Sequence, residues 1–403
     1  MLTSRQRVMN ALNFQATDRI PKDLGGMRST SISAFSYPSL VAALGLPPRL
    51  PRIEDAFQML ALPDLDVLDA LGCDVVTIAD GVTNAIPQPE RWHRYRFNGR
   101  LDALVQHPRR YRVVEDGAIM LSGRKMVSAS YVFDEPHGGQ PLHLDTELPM
   151  VNLKAMRRRL ARQRIKDADV VRLHELCRQV RESTDRAVFL NEGALNAPIS
   201  IHAYGGLAVF PLLCLLEPDY VAELHAIAVE HTLYNIRALL PEIEKYVDVI
   251  MIASDDWGTQ NTTFASPQVY RDLFLPYRRA INDACHALAP NTKLFLHSCG
   301  AIYDLIEPII ESGFDILNPV QWPAGGHSYS EWKAAAGGRL ALWGGGVNAQ
   351  HTLQHGTVAQ VRAEAKRVSR ALAEGGGYVF ANIHNLLAEV SAEKVIALYR
   401  AAE

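Results

Sequence analysis

The stretch Lys293-Leu294-Phe295-Leu296-His297-Ser298-Cys299-Gly300 has the pattern of a buried strand that ends in polar side chains and a glycine. Residues two apart in an extended chain point to the same side, so the imidazole of His297 and the thiol of Cys299 would face one site. Histidine with cysteine suits zinc. Two protein ligands at a strand end leave coordination positions of the metal free for a substrate. The alternative is a buried cysteine beside a hydrogen-bonded histidine, which is the commoner meaning of an isolated H-x-C pattern.

Other short apolar runs along the chain resemble this one, and they too end in polar or glycine residues. Most intervals between them have the periodicity of amphipathic helices. Strand followed by helix, repeated along the chain, predicts a parallel sheet covered by helices. The eight runs are residues 20–26, 75–80, 188–193, 249–256, 294–300, 316–321, 340–347 and 378–384.

Eight strand–helix units predict an α/β fold of the (β/α)8, or TIM-barrel, type. Polar residues cluster at the carboxyl ends of the runs, which is the face where such barrels build their active sites. A doubly wound open sheet also binds ligands at carboxyl strand ends, but no G-x-G-x-x-G pattern follows the first run. The strand-end residues are Asp80, Glu192, Asp255, Asp256, His297, Cys299, Gln321 and His384.

Residues 90–150 interrupt this alternation of strands and helices. Aromatic and apolar residues alternate there with polar ones, and Asn98-Gly99 and Asp116-Gly117 separate the alternating stretches. Asn-Gly and Asp-Gly in that setting indicate β-hairpins. We therefore expect a single barrel domain over residues 1–403, with residues 90–150 as a β-rich antiparallel insertion that caps the active face.

Composition excludes several classes of partner and compartment. The formal net charge of −3 gives no reason to expect a nucleic-acid or membrane partner. The chain lacks an apolar N-terminal segment and a long apolar run, so no secretion signal or membrane span is predicted. The five scattered cysteines without CxxC spacing indicate reduced thiols and a cytoplasmic protein.

With these residues in view, the chain resembles the uroporphyrinogen decarboxylase superfamily, and within it the branch of methyltransferases that work with corrinoid proteins. The resemblance spans nearly the full length. It rests on the opening 5–21, on Ser254-Asp255-Asp256-Trp257-Gly258-Thr259-Gln260, on His297-Ser298-Cys299-Gly300, on segments 316–321 and 343–347, and on the stretch from His384-Asn385.

The resemblance implies a zinc site made by His297, Cys299 and His384. In the thiol-loading methyltransferases of this branch, a third ligand lies near the C-terminus, and His384 takes its place here. Three protein ligands would leave the metal open to a substrate. Two imidazoles and one thiolate favour polarising a substrate oxygen over activating a thiol.

The implied activity is methyl transfer from a small methylated substrate, an aryl methyl ether above all, to a corrinoid. No D-x-H-x-x-G motif occurs, so a separate partner protein would carry the corrinoid. Asp255, Asp256 or Glu192 could orient a ligand, complete the metal site or protonate the departing oxygen. Tyr204 is a further catalytic candidate, which would hydrogen-bond the substrate. The candidates for substrate contact are Asn385, Gln321, Arg28, Asp80 and Trp257, although Gln321 could instead brace a loop and Trp257 could belong to the core.

Three other functions fit parts of the same pattern. A uroporphyrinogen decarboxylase-like enzyme would use Asp80, Tyr204 and His384, but Leu24-Gly25-Gly26-Met27-Arg28 replaces the arginine-rich signature that its polycarboxylate substrate requires. A methylcorrinoid:thiol methyltransferase would use the same metal in the opposite direction. A non-catalytic zinc or ligand-binding barrel would close the metal with a fourth protein ligand. A homodimer is a possibility that the resemblance alone suggests.

Overall fold

Parallel strands separated by helices occupy most of the computed structural model, which describes residues 1–134, 148 and 150–402. The strands are β1 (Ile32–Ser33), β2 (Ile53–Asp55), β3 (Leu60–Ala61), β4 (Val75–Ala79), β5 (Val82–Thr83), β6 (His93–Arg96), β7 (Asp102–Val105), β8 (Tyr111–Val113), β9 (Ile119–Leu121), β10 (Arg124–Met126), β11 (Ala187–Asn191), β12 (Val249–Ser254), β13 (Lys293–His297), β14 (Ile316–Asn318), β15 (Ala341–Trp343) and β16 (Tyr378–Val379).

The helices follow these strands in the order expected of a barrel. They are α1 (Ser4–Leu12), α2 (Tyr37–Ala43), α3 (Leu65–Leu71), α4 (Leu153–Arg162), α5 (Asp167–Ser183), α6 (Phe210–Leu216), α7 (Pro218–Ile243), α8 (Pro267–Leu273), α9 (Leu275–Leu288), α10 (Ile306–Glu311), α11 (Tyr329–Ala336), α12 (Thr352–His355), α13 (Val358–Ala373) and α14 (Ala392–Ala401). No helix among the described residues is both long and apolar enough to cross a bilayer.

The central sheet has the order β16-β15-β14-β13-β12-β11-β4, and all of these neighbours are parallel. The first predicted run completes the circle through Lys22. Lys22 forms a parallel β-bridge with Phe380, just beyond β16. The carbonyl of Lys22 accepts a hydrogen bond at 2.7 Å from the backbone N–H of Asp74, just before β4. The predicted α/β barrel is confirmed.

Large aromatic side chains fill the barrel below its mouth. The rings of Phe189 and Phe295 lie 4.8 Å apart between centroids, and both contact Trp343 edge to face. All three are fully buried. Since alternate residues of a strand share a face, Asn191 and His297 lie one layer above this floor, towards the carboxyl ends of their strands.

The predicted antiparallel insertion is present after β4. Strand β6 pairs with β7, and β8-β9-β10 form a second antiparallel sheet. Asn98 and Gly99 join β6 to β7 with φ angles of 49° and 74°, the left-handed backbone that Asn-Gly hairpin turns adopt. Residues 135–147 and 149 of the predicted segment 90–150 lie outside the described residues.

Candidate metal centre

Three predicted residues come together where the central strands end. Asp256, His297 and Cys299 each offer one ligand atom, and these atoms all lie within 4.8 Å of one another. Strands β12 and β13 are parallel neighbours with Ser254 opposite His297, so the loops that follow leave the barrel side by side. Strand register therefore places the two loops side by side at the mouth of the barrel.

Two glycines allow these loops to approach each other. Gly258 lies against the backbone of Gly300, and a Cβ atom on either would overlap the other residue's backbone. Gly300 also has a φ of 88°, which favours glycine. The backbone N–H of Cys299 donates to Asp256 Oδ1 at 3.0 Å, so this contact holds the loop of one ligand against the side chain of another.

A hydrogen bond to Asn318 orients the ring of His297. Asn318 Nδ2 donates to the carbonyl of Trp343 at 2.9 Å, so its Oδ1 must be the atom that faces His297 Nδ1 at 2.7 Å. Nδ1 therefore donates this hydrogen bond, and Nε2 lies 3.4 Å from Asp256 Oδ1, where it faces the carboxylate. The imidazole nitrogen, the carboxylate and the thiol of Cys299 are donor types that zinc accepts, so this set fits a metal ion.

The pKa values of Asp256 and Cys299, the two ligands that can become anionic, are shifted in opposite directions. Burial opposes ionisation of the Asp256 carboxyl, but the charge of His297 and the N–H of Cys299 outweigh it and lower the pKa. Burial raises the pKa of the Cys299 thiol, and the charge of Asp256 raises it further. A thiol in this setting loses its proton when a metal binds, because coordination reverses the local charge balance.

His384 lies beside the group without belonging to it. Its ring centroid is 5.7 Å from that of His297. The pKa of His384 is lowered, first by burial and then by the charge of His297. The closest cluster in the structure joins Asp256 to His297 and Cys299, and the ligand set of His297, Cys299 and His384 stays a prediction.

A chain of hydrogen bonds sets the tautomer of His384. Gln58 Nε2 donates to the carboxylate of Asp55 at 3.2 Å, which leaves Gln58 Oε1 to accept from Asn385 Nδ2 at 2.9 Å. Asn385 Oδ1 then faces His384 Nδ1 at 2.7 Å, so this nitrogen donates. Nε2 of His384 is left as a lone pair, as a metal ligand requires.

A pocket of about 550 Å³ opens beside the group, and Cys299 and His384 form part of its wall. Gln321 and Asn385 also line it. Gln321 Oε1 accepts from the backbone N–H of Gly300 at 2.8 Å, so this side chain braces the ligand loop. Gln321 and Asn385, the two predicted substrate contacts with amide side chains, therefore lie at the pocket, but some of their polar atoms already form hydrogen bonds within the protein.

Asp255 and Trp257 lie on the opposite side of their loop from the metal group. Asp255 is buried and accepts hydrogen bonds from Ser200 Oγ at 2.7 Å, from the backbone N–H of Ile201 at 2.9 Å and from Trp257 Nε1 at 2.7 Å. Asp255 and Asp256 thus point opposite ways, as neighbours in an extended chain do. The structure does not bring Asp255 or Trp257 to the metal group.

Arg28 and Asp80 meet in a different cavity, of about 340 Å³, next to the insertion. Arg28 Nη2 lies 2.9 Å from Glu54 Oε1 and 2.7 Å from Asp80 Oδ2. Asp55 Oδ2 is a third acidic partner, 3.6 Å from Arg28 Nε, so acidic side chains surround the arginine. A substrate carboxylate would have to displace one of them before Arg28 could bind it.

Tyr204 and Glu192 are also separate from the metal group. The hydroxyl of Tyr204 accepts from Arg159 of α4 at 3.2 Å and contacts the sulfur of Met156. Glu192 is partly buried, and burial, followed by the charge of Asp80, raises its pKa. Their catalytic roles stay predictions.

Asn318 and Gln58 are the supporting residues that sequence reasoning missed. Asn318 lies at the end of β14 inside a segment already noted for its family resemblance, so a polar residue at that strand end was an available signal. Gln58 lies between β2 and β3, in an antiparallel sheet that the strand–helix alternation does not predict. No local pattern pointed to it.

The fold and the cluster at its mouth define an α/β barrel with a candidate metal centre at the carboxyl ends of its strands. Residues 145–403 match the family model described as uroporphyrinogen decarboxylase (URO-D). The chain belongs to this family, which confirms the resemblance at the level of the superfamily.

Among solved structures, a methyltransferase from Methanosarcina mazei is similar, with 18% identity, coverage of 100% of this chain and 98% of that chain, and a TM-score of 0.56. This likeness is one of fold. An endo-1,4-β-mannanase from Rhizomucor miehei gives a TM-score of 0.33, with 11% identity over 58% of this chain and 75% of that chain. No curated protein sequence matches the chain.

Proposed function

We propose that this protein is a zinc-dependent methyltransferase that moves a methyl group from a small aryl methyl ether to a corrinoid carried by a separate protein. The observation that carries the proposal is the Asp256–His297–Cys299 cluster beside a pocket large enough for a small molecule. The methyltransferase named among similar structures supports methyl transfer.

The chain's own residues would hold the metal and position the substrate. His297 Nε2, Cys299 Sγ and the Asp256 carboxylate form the ligand set, with His384 Nε2 as the adjacent further donor. When bound, zinc supplies Lewis acidity that stabilises the charge developing on the departing ether oxygen. Gln321 holds the loop of Cys299 in place through its hydrogen bond to Gly300. Asn385 accepts from Nδ1 of His384, which leaves the lone pair on Nε2.

A decarboxylase-like activity is the second candidate, and the family description favours it. It would require Asp80 to be available to the substrate, whereas Asp80 is paired with Arg28 in the separate cavity. Methylation of a thiol by the same metal is a third possibility. A cytoplasmic location and a homodimer remain expectations that accompany the proposal.

Metal content tests the proposal directly. Protein purified without a histidine tag is analysed for bound elements, together with His297→Ala and with His351→Ala, which removes an exposed histidine that lines a different cavity. We expect wild type and His351→Ala to contain zinc and His297→Ala to lose it. Demethylation of methoxy-aromatics with a reduced corrinoid protein is then assayed.

Zinc-free wild-type protein would contradict the proposal and favour the decarboxylase-like alternative. Cys299→Ser provides a second check, because it should abolish zinc-dependent turnover with little change in circular dichroism. Full turnover in this variant would exclude Cys299 as a ligand.

A further inference from the structure

Carboxamide and apolar side chains form most of the described wall of the pocket beside the metal cluster. Among the described residues that line it, Cys299 and His384 are the titratable ones, and no Asp, Glu, Lys or Arg contributes. The polar part of the wall consists of carboxamides, notably Asn348, Gln350 and Gln354. The apolar part is aliphatic: Leu353, Ile383, Leu387 and Val390.

The basic side chains of Lys394 and Arg28 are engaged elsewhere, and the exposed Glu389 lines an adjoining cavity. Lys394 donates to the backbone carbonyls of Leu353 and Gln354, at 2.9 Å each, so its ammonium group anchors the wall from behind. Arg28 is surrounded by acidic side chains in the separate cavity. Apart from the proposed metal itself, the described wall therefore offers a charged ligand no counter-ion.

A charged group loses its hydration when it enters such a site and regains little, whereas a neutral ligand keeps the benefit of apolar contact. Carboxamides can satisfy hydroxyl, ether or carbonyl groups because each offers both a donor and an acceptor. We infer that this pocket selects an uncharged, partly apolar methyl donor and discriminates against carboxylated and ammonium-bearing ones. The inference rests on the proposed function and narrows its substrate class.

Three ligands that differ in charge at one position test this selectivity. They are meta-methoxybenzyl alcohol, meta-methoxybenzoate and the meta-methoxybenzylammonium ion, each titrated calorimetrically into zinc-loaded full-length protein. We expect the alcohol to bind at least about tenfold more tightly than either charged analogue. Equal or tighter binding of the benzoate or the ammonium ion would overturn the inference, and so would failure of all three to bind.

Gln354→Lys adds a charge to the wall and should change the preference. We expect the affinity for the benzoate, relative to the alcohol, to rise by about tenfold. The matched control is Gln268→Lys on α8, where the exposed Gln268 bonds to Asp272 and the new lysine can keep that contact. An equal change in the benzoate-to-alcohol affinity ratio in both variants, or no change in either, would contradict a role for the pocket wall in this selectivity.

Binding and turnover separate this inference from the proposed function. Selective binding of the alcohol without methyl transfer to a reduced corrinoid protein would refute the function and leave the pocket's charge selectivity standing. Methyl transfer from the benzoate as fast as from the alcohol would refute the selectivity and leave the function standing.

Discussion

The Asn318 carboxamide determines which nitrogen of His297 is available. Its Nδ2 must face the Trp343 carbonyl, so its Oδ1 must face His297 Nδ1. Ser29 Oγ donates to the same oxygen at 2.8 Å and holds the amide from a second direction. Two such contacts reduce the ways in which the imidazole can rotate, which preorganises a ligand before the metal arrives.

Asn318→Ala should weaken zinc binding by about 10–100-fold, because the ring of His297 loses the partner that fixes its tautomer. The affinity is measured by competition with a chromogenic chelator. Asn282→Ala is the matched control, since Asn282 is also buried and donates to a backbone carbonyl, that of Ser312, at 2.8 Å. Equal zinc affinity in both variants would show that Asn318 has no orienting role.

Asn385→Ala should change the tautomer of His384. Without the acceptor at Nδ1, the ring is expected to populate both neutral tautomers, which long-range ¹H–¹⁵N spectra of the zinc-free protein distinguish. Asn348→Ala is the control, because Asn348 lines the same pocket but accepts from the backbone N–H of His351 instead. An unchanged His384 spectrum in Asn385→Ala would contradict the hydrogen-bond chain through Gln58.

At the level of elements, the sequence predicts the barrel well because each strand has a local signature. Apolar runs bounded by polar residues mark β4, β11, β12 and β13, and Asn98-Gly99 marks the hairpin between β6 and β7. The sheet β1-β3-β2 was missed, since strands of two or three residues carry too few positions for a periodic pattern.

The metal cluster was predicted less completely than the strands. Alternation correctly indicates that His297 and Cys299 share a side and that Asp255 and Asp256 do not. It does not indicate how far apart two loops lie once the strands have ended. The contact of Gly258 with Gly300 brings Asp256 to His297, and this close approach depends on two residues 42 positions apart in the chain.

The packing of α7 against α8 and α9 should depend on pH through His225. This ring is buried against Phe274, and its Nδ1 bonds to the carbonyl of Leu273 at 2.7 Å. Burial, followed by the charge of Arg278, lowers the pKa of His225 from 6.5 to about 4. Between these values the unfolded chain binds a proton that the folded chain excludes, so the stability that His225 contributes is lost as the pH falls.

This linkage predicts a loss of about 2 kcal/mol from His225 alone between pH 7 and pH 5. Urea unfolding of wild type and His225→Phe at both pH values measures it. The variant lacks the titrating group, so its stability relative to wild type should improve by that amount at the lower pH. A difference between the two proteins that stays constant with pH would refute the assignment.

For the molecule as a whole, closure of the barrel depends on the face opposite the metal. The first run joins its neighbours mainly around Lys22, where pairing is short. Asp74 is fully buried and accepts from Arg7 of α1 at 2.7 Å, from Arg19 at 2.7 Å and from the backbone N–H of Lys22 at 3.0 Å. One carboxylate thus ties the first helix and the first run to β4.

Asp74→Ala should destabilise the protein by about 2–4 kcal/mol. The buried Arg7 keeps its charge with Asp18 as its remaining acidic partner, and Arg19 and the backbone N–H of Lys22 lose this acceptor. Thermal unfolding of zinc-loaded protein measures the loss. Asp102→Ala, which removes the partner of the exposed Arg94 and Arg96 in the insertion, should leave the unfolding temperature nearly unchanged. Zinc affinity should remain that of wild type wherever Asp74→Ala is folded, since the metal cluster lies at the other end of the strands. Equal unfolding temperatures for the two variants would show that the ion pairs of this face do not secure the barrel, and closure would then depend on the apolar layers around Phe189, Phe295 and Trp343.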